Sequence, residues 1–458
     1  MMTLDFGLEL EETHDKGFLI PNEPKFIRSY GPLGTIRLHN NPLNFIQSLY
    51  NKHGKLFSFY LAYRRFTVMY DEHTFLTKIA RDPKFSMEFL DDLSLAGGVS
   101  RACIKNTRVM DEIIKQFHTY LFGDELEQLN KSVYDCLIDK LKVRSTTTNI
   151  VNVFDYFGEM MFYAAATTLF GKTFVEQQPG LYQSYLEFNH ALGIILMKIP
   201  MQSFFLYPVI KKRNEYIKRF ENLKINDEQS KIDTSASHGL LLWAAVVNTV
   251  TNSIWALVDL LIHPEAISAV KQELKTIDIN QLYERETLNK LQILDSCINE
   301  TLRRTVLSMS TREATENITI TDSDGTLIGL RKHDILAYPS LVKHYDSDLF
   351  PQPYTFQYNR FVKEQHQQNG KKIPSTIVFG CGKRMCPGRY WAVNEIKMLL
   401  ALVITNMNIE LLMDESYRKK LCERLEYQYT GVLSNGGPIK QHHDQFKIKY
   451  SCRNIDVN

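Results

Sequence analysis

The sequence has no excess of charge of either sign. Its 54 lysine and arginine residues offset 52 acidic residues and leave a net charge of +2 over 458 residues. Proteins that bind nucleic acid concentrate positive charge on one face or in a tail, and the sequence contains no such run. The composition therefore gives no support for a nucleic-acid partner, while 44% apolar residues suffice for a large globular core.

Cysteine is too sparse to form a disulfide framework. The seven cysteines are odd in number and irregularly spaced, which indicates a reducing compartment. A zinc site is equally unsupported, because Cys381 and Cys386 have no second pair of ligands at finger-like spacing. The seven are Cys103, Cys136, Cys297, Cys381, Cys386, Cys422 and Cys452.

A signal peptide is missing from the start of the sequence. Residues 1–24 carry acidic residues where a signal peptide has basic ones, and they contain no apolar core. We expect residues 1–20 to be an N-terminal extension without a membrane anchor and residues 21–458 to form a single catalytic domain. No internal repeat divides that domain.

The longest apolar stretch, residues 240–262, has the length of a membrane span. However, Asn248, Asn252 and Asp259 recur at spacings of four and seven, which places them on one helical face. Lipid tolerates such groups poorly. We therefore predict a buried helix with one polar stripe.

The remaining patterns indicate a mostly helical protein with a small strand region. Helical spacing dominates between about residues 108 and 300, and alternation with an Asp-Gly turn after residue 310 indicates short strands. The predicted helices are 41–53, 109–122, 126–142, 153–170, 181–198, a long helix ending at His263, then 264–276, 286–304 and 388–407, with a hairpin at 55–70, a flexible loop at 223–238 and strands and loops from residue 409 onward.

The strongest local signal is the segment 379–388, FGCGKRMCPG. Its glycines allow a tight backbone path, and Pro387 suits the first turn of the helix that follows Cys386. A sulfur at a helix N-terminus faces unpaired N–H groups and the positive end of the dipole, which favour the thiolate. The alternative is that Cys386 is an ordinary buried cysteine in a glycine-rich turn. A phosphate loop is excluded because Arg384, not Ser or Thr, follows Lys383.

This segment resembles the haem-binding loop of the cytochrome P450 family at every defining position. The resemblance implies the P450 fold, which is mainly α with a small β region and a long central helix over a haem b. It implies that Cys386 is the proximal iron ligand, that Arg384 pairs with a haem propionate and that Phe379 packs near the sulfur. Gly382 and Gly388 complete the loop.

Two upstream motifs support the same resemblance. Glu300 and Arg303 lie one turn apart on a helix, and in the family a second arginine, here Arg360 in the segment 353–361, completes the network beneath the haem. By resemblance Arg312 is a second propionate partner, with an ordinary strand arginine as the alternative. Lys115 is a further propionate candidate, although a solvated helix lysine is equally compatible with its position.

The central helix departs from the family pattern, which carries an acid–alcohol pair for proton delivery. Residues 244–249 read Ala-Ala-Val-Val-Asn-Thr and contain no acid. Either Asn248 stands for the acid and Thr249 for the alcohol, or Asn248 replaces the alcohol itself. An amide can orient a water but cannot exchange a proton as a carboxylate does.

The same departure resembles one branch of the family. That branch contains cholesterol and oxysterol 7α-hydroxylases, sterol 12α-hydroxylase and prostacyclin synthase. The resemblance rests on the segments 41–43, 52–54, 242–244, 248–249, 311–313 and 392–397, together with Trp255. Members of the family commonly carry a tryptophan-containing haem-contact motif in the region that corresponds to the residues before 120. This sequence has no such motif there.

The resemblance leaves three functions open. The first is a monooxygenase that hydroxylates a sterol or other lipid with dioxygen and electrons from an NADPH-dependent reductase. The second is a prostacyclin-synthase-like isomerase that rearranges a lipid peroxide without dioxygen or reductase. The third is a catalytically silent haem-binding protein. Retention of Thr249 and the sterol-hydroxylase-like sequence around it favour the monooxygenase.

The substrate pocket and the membrane contact are predicted from the resemblance and from sequence position, because no motif defines them. The resemblance suggests attachment to the cytoplasmic face of the endoplasmic reticulum, and because we expect no anchor in residues 1–20, a soluble cytoplasmic form is the alternative. A candidate peripheral contact is the apolar stretch 192–208 beside the basic residues 211–213, with a substrate-roof helix as the alternative. The pocket candidates, for each of which plain core is the alternative, are Ala244, Val247, Val306, Leu307 and Met309.

Overall fold

The architecture is mainly helical with a small β region, as predicted. It is a computed structural model. It describes residues 21–27, 42–61, 64–86, 88–106, 115–116, 119–142, 148–196, 206–221, 228–306, 309–362, 375–382, 385–422 and 444–453.

Most of the described chain lies in helices whose ends carry recognisable signals. Val153–Phe170, for example, begins where the Asn152 side chain accepts a hydrogen bond from the Phe154 N–H at 2.8 Å, and it ends at Gly171 with φ of 86°. The α-helices are α1 Pro42–His53, α2 Glu72–Thr74, α3 Glu88–Ala96, α4 Arg101–Ile104, α5 Gly123–Lys142, α6 Val153–Phe170, α7 Lys172–Glu176, α8 Leu181–Leu196, α9 Tyr207–Lys218, α10 Glu228–Ile262, α11 Pro264–Leu274, α12 Arg285–Lys290, α13 Gln292–Thr305, α14 Ser340–Lys343, α15 Arg389–Asn406 and α16 Glu415–Cys422.

The described strands form three sheets. Six strands pair in the order β1-β2-β3-β9-β6-β4, three in the order β10-β11-β5, and β7 pairs with β8. In the largest sheet β2 and β3 form the predicted hairpin with Phe57 opposite Val68. The strands are β1 Phe26–Ile27, β2 Leu56–Leu61, β3 Arg64–Met69, β4 Phe85–Ser86, β5 Asn149–Asn152, β6 Ser310–Ala314, β7 Ile318–Thr321, β8 Leu327–Leu330, β9 Ile335–Tyr338, β10 Met407–Leu411 and β11 Lys447–Cys452.

Helix α10 lies at the centre of the helical layer. It packs against α6, α13 and α15, and its C-terminal half belongs to the largest hydrophobic cluster. Among the described helices it is long and apolar enough to cross a membrane over Ile232–Ile262, yet 78% of its most apolar window is buried inside the molecule. The prediction of a buried helix with a polar stripe is confirmed.

Three sequence predictions need correction. The predicted loop 223–238 is wrong from residue 228 onward, because α10 begins at Glu228. The predicted helix 286–304 is two helices, α12 and α13, separated at Leu291 with ψ of 67°. The tail after residue 409 contains α16 as well as strands. Most of the predicted helix 109–122 lies outside the described residues.

Candidate functional site

The segment before α15 folds into a tight loop that places Cys386 at the helix N-terminus. The Cys386 N–H donates to the Phe379 carbonyl at 2.8 Å, and the Met385 N–H donates to the Gly382 carbonyl at 3.3 Å. Gly382 has φ of 68°, and a Cβ there would lie 2.5 Å from the Ala80 carbonyl oxygen. Because only glycine fits this position, the observed loop conformation requires glycine at residue 382.

The environment of the Cys386 sulfur combines opposing effects. Burial raises the pKa of the thiol, and this is the largest influence. A hydrogen bond from the Gly388 N–H and the positive charge of Arg389 lower the pKa by less. The Gly388 N–H at the helix N-terminus and the charge of Arg389 thus favour the thiolate, as predicted, although in the free protein desolvation of the charged form has the larger influence on the pKa.

The predictions for the loop residues Gly388, Phe379 and Arg384 have different outcomes. Gly388 has an ordinary φ of −82°, and a Cβ there would meet nothing within 4 Å in the protein. The prediction that a side chain at each loop glycine would collide with the protein is therefore wrong for Gly388. Phe379 packs against the largest hydrophobic cluster, and Arg384 lies outside the described residues.

Arg312 reaches the loop from strand β6. It is 4% exposed, and its Nη2 donates to the Cys381 carbonyl at 2.9 Å while its Nη1 donates to the Thr311 carbonyl at 2.7 Å. Its guanidinium also lies over the Phe75 ring. The structure therefore places this arginine against the backbone of the cysteine loop rather than in solvent.

The predicted ion-pair network is assembled in the core. Arg303 donates to both oxygens of Glu300 at 2.8 Å, and Arg360 Nε donates to Glu300 Oε2 at 3.0 Å. The remaining guanidinium groups bind loop carbonyls, including Arg303 Nη2 with Pro353 and Arg360 Nη1 with Pro351. Glu300 and Arg303 have no exposed surface, so the network ties α13 to the loop that contains residues 351–360.

A second buried ion pair, which the sequence reasoning missed, joins α10 to α13. Arg304 Nη1 donates to Asp259 Oδ1 at 2.9 Å, and both side chains have no exposed surface. Thr301 donates to the other Asp259 oxygen at 2.8 Å. The available signal was Asp259 itself, because a carboxylate in an apolar helix requires a buried partner.

The face of α10 that carries Ala244 and Asn248 is open, whereas its neighbours are packed. Ala244 and Asn248 are exposed, and they lie one turn apart on the same side of the helix. Thr249 is only 7% exposed. Of the two registers left open, the structure favours the one in which Asn248 occupies the alcohol position.

The other pocket candidates differ in burial from Ala244 and Asn248, where the structure describes them, whereas the propionate candidate Lys115 does not. Val247 is 4% exposed and belongs to the same hydrophobic cluster as Trp243 and Val246, which favours the alternative of plain core. Val306 belongs to the largest core cluster. Met309 packs partly against Phe57 and its neighbours. Leu307 lies outside the described residues, and Lys115 is an exposed lysine with helical backbone.

The donor set at the loop fits a haem. The Cys386 sulfur accepts the Gly388 N–H and lies in a loop whose conformation requires Gly382, so it would be able to ligate a haem iron as a thiolate.

Comparisons with known proteins agree with the geometry. The family model for cytochrome P450 matches residues 21–228 and 211–429. The chain is 26% identical to cholesterol 7-alpha-monooxygenase of Cricetulus griseus, over 91% of both chains. It is 30% identical to 25-hydroxycholesterol 7-alpha-hydroxylase of Rattus norvegicus, over 63% of this chain and 78% of that relative. The predicted branch is thereby confirmed.

A solved structure shows the same fold. The retinoic-acid-bound cyanobacterial CYP120A1 superposes with a TM-score of 0.74 at 17% sequence identity, covering 94% of this chain and all of that chain. This likeness confirms the predicted fold class.

Proposed function

Because the chain belongs to the cytochrome P450 family and is a monooxygenase of that family, we propose that it hydroxylates a sterol or closely related lipid. Residues 21–458 act as one haem-thiolate catalytic domain. The observation that carries the proposal is the open Ala244–Asn248 face of α10. Helix α10 packs against α15, the helix that starts after Cys386.

Cys386 is the residue that would hold a haem b through its sulfur. When bound, such a group supplies the redox chemistry that activates dioxygen with electrons from an NADPH-dependent reductase. Since burial raises the pKa of the free thiol, coordination as the thiolate displaces a proton. The Gly388 N–H then stabilises the negative sulfur.

Asn248 is the side chain proposed to order water on the open face of α10. Its amide can donate and accept hydrogen bonds, but it does not ionise. It therefore positions a water or substrate hydroxyl instead of transferring a proton itself. In this assignment Thr249, which is packed inside, supports the helix and does not meet the substrate.

Glu300, Arg303 and Arg360 hold the loop that contains residues 351–360 in a fixed position relative to α13. Arg312 performs a similar task at the Cys381 carbonyl. We propose that Arg312 and Arg384 serve the haem propionates. A planar guanidinium is well suited to such a carboxylate.

The sterol assignment rests on the relatives and on the small side chain of Ala244. The matched relatives include sterol 7-alpha- and 12-alpha-hydroxylases, and they do not favour the isomerase alternative. We propose that the enzyme works at the endoplasmic reticulum with a peripheral contact near residues 192–213, part of which lies outside the described residues. Tyr207, at the start of α9, is 70% exposed and suits such a contact.

The test is product formation with a supplied P450 reductase. With NADPH, cholesterol or 25-hydroxycholesterol should gain one oxygen atom, detected by mass spectrometry, and labelled dioxygen should supply that atom. Product formation from a lipid peroxide without reductase would support the isomerase instead. A silent haem protein would give no product under either condition.

A further inference from the structure

The turn of α10 that follows Asn248 carries polar side chains that bond back to the helix. Asn252 Nδ2 donates to the Asn248 carbonyl at 2.8 Å. Thr251 and Ser253 each donate to a carbonyl of the preceding turn, at 3.1 and 2.7 Å. Such side chains compete with the regular helix bonds and adjust the local backbone. The backbone at Asn248 is therefore set partly by side chains.

Asn252 is in turn held by α13. Thr305 Oγ1 donates to Asn252 Oδ1 at 2.7 Å and lies 2.8 Å from the Thr301 carbonyl. Asn252 is 3% exposed and Thr305 is 2% exposed. The single hydroxyl proton is shared between two acceptors, and the Asn252 amide uses its oxygen towards α13 and its nitrogen towards Asn248. This arrangement fixes the orientation of the amide.

We propose that Asn252 and Thr305 are positioning residues for Asn248. Thr305 holds the Asn252 amide, Asn252 holds the Asn248 carbonyl, and the Asn248 side chain is thereby aimed on the open face of α10. The inference rests on the proposed function only in that this face lies over the haem. Buried hydrogen bonds are costly to lose, so the chain of contacts stays rigid while the open face binds its ligand.

The same pair of helices offers a matched control. Thr301 donates to Asp259 at 2.8 Å and is 1% exposed. Thr301→Val therefore removes a buried hydroxyl between α10 and α13, as Thr305→Val does. It leaves the contacts from Thr305 through Asn252 to Asn248 in place. A purely structural role would make the two variants behave alike.

The experiment uses the purified haem protein, reduced and saturated with carbon monoxide. The infrared C–O stretching band reports the polar groups above the metal. We expect Thr305→Val and Asn252→Leu to shift and broaden this band, Thr301→Val to leave it unchanged, and Thr305→Ser to restore it. With reductase and NADPH, peroxide released per NADPH should rise roughly tenfold in the first two variants, because misplaced groups lose rate steeply.

An unchanged band in Thr305→Val, or an equal shift in Thr301→Val, would overturn the positioning role. If Asn252→Leu does not fold, Thr305→Val decides, because valine keeps the shape of threonine. A parent protein without a thiolate-type carbon-monoxide band would instead refute the proposed function, so the two failures are distinguishable.

Discussion

Glu300 and Glu395 are buried carboxyls on two helices that pack against each other, α13 and α15, yet their surroundings are opposite. Glu300 accepts hydrogen bonds from Arg303, from Arg360 and from the Gln357 N–H. Among the residues that the structure describes, Glu395 Oε1 has no hydrogen-bond partner, and burial raises the pKa of Glu395 well above its usual range. Burial thus costs free energy unless partners compensate for lost water.

Asp259 extends the comparison to a third buried carboxyl. It is paired with Arg304 and receives the Thr301 hydroxyl, so it resembles Glu300 in being compensated. Unlike Glu300, it joins two helices, and its partner Arg304 meets the loop that contains residues 351–360 by lying over the Phe356 ring. The two ion pairs should therefore respond alike in stability but differently in haem binding.

The largest effect is expected from Glu300→Gln. Removing one charge from a buried pair leaves the other uncompensated, which costs about 3–5 kcal/mol of unfolding free energy. Haem content should fall with it, because Arg303 and Arg360 lose their shared acceptor. Denaturant titration and haem absorbance measure the two effects. Asp135→Asn is the matched control, since its partner Lys131 lies on the surface of α5, and it should cost less than about 1 kcal/mol.

The Asp259–Arg304 pair should be replaceable. Arg304→Met alone should cost about 3–5 kcal/mol, because it strands a buried carboxylate, whereas Asp259→Leu with Arg304→Met should recover most of that loss. The double variant should retain more haem than Glu300→Gln, because the hydrogen bonds from Arg303 and Arg360 to Glu300 stay in place. A double variant that lacks haem but folds would show that this pair, too, belongs to the haem site.

The smallest change in unfolding free energy is expected from Glu395→Gln, and it should be an increase in stability. Below the usual carboxyl pKa of 4.5 the group is protonated in both the folded and the unfolded chain. Above it, the unfolded chain releases the proton while the folded chain keeps it, so stability falls as pH rises, by about 1.4 kcal/mol per unit of pKa difference.

Glutamine at position 395 removes that dependence. The variant should match the parent near pH 4 and exceed it at pH 7 in unfolding free energy. Parallel pH profiles for the two proteins would show that Glu395 ionises normally in the fold.

The two compensated carboxyls also show what the sequence could and could not predict. Glu300 and Arg303 are three residues apart on one helix, so their pairing follows from local geometry, as does the Cys386 loop with its required Gly382. Asp259 and Arg304 meet only after α10 and α13 pack. The sequence identified Asp259 as polar but gave no position for its partner.

Tertiary contacts also explain the errors in α10. Its polar N-terminal part was predicted as a loop, but Asp233 accepts hydrogen bonds from the Ser100 N–H and hydroxyl at 2.7 and 2.8 Å. That contact stabilises helix where composition favours a loop. The register of Asn248 and Thr249 likewise depends on which face of the helix its neighbours cover, which periodicity alone does not determine.

The central claim is that Cys386 is the thiolate ligand of a haem. The most direct test is the reduced, carbon-monoxide difference spectrum of the purified protein and of Cys386→Ser. The parent should show the thiolate-type Soret band of P450 enzymes, and the variant should lose that band while its circular dichroism shows that it remains folded. A folded parent protein without that band, or a variant that keeps it, would contradict the claim.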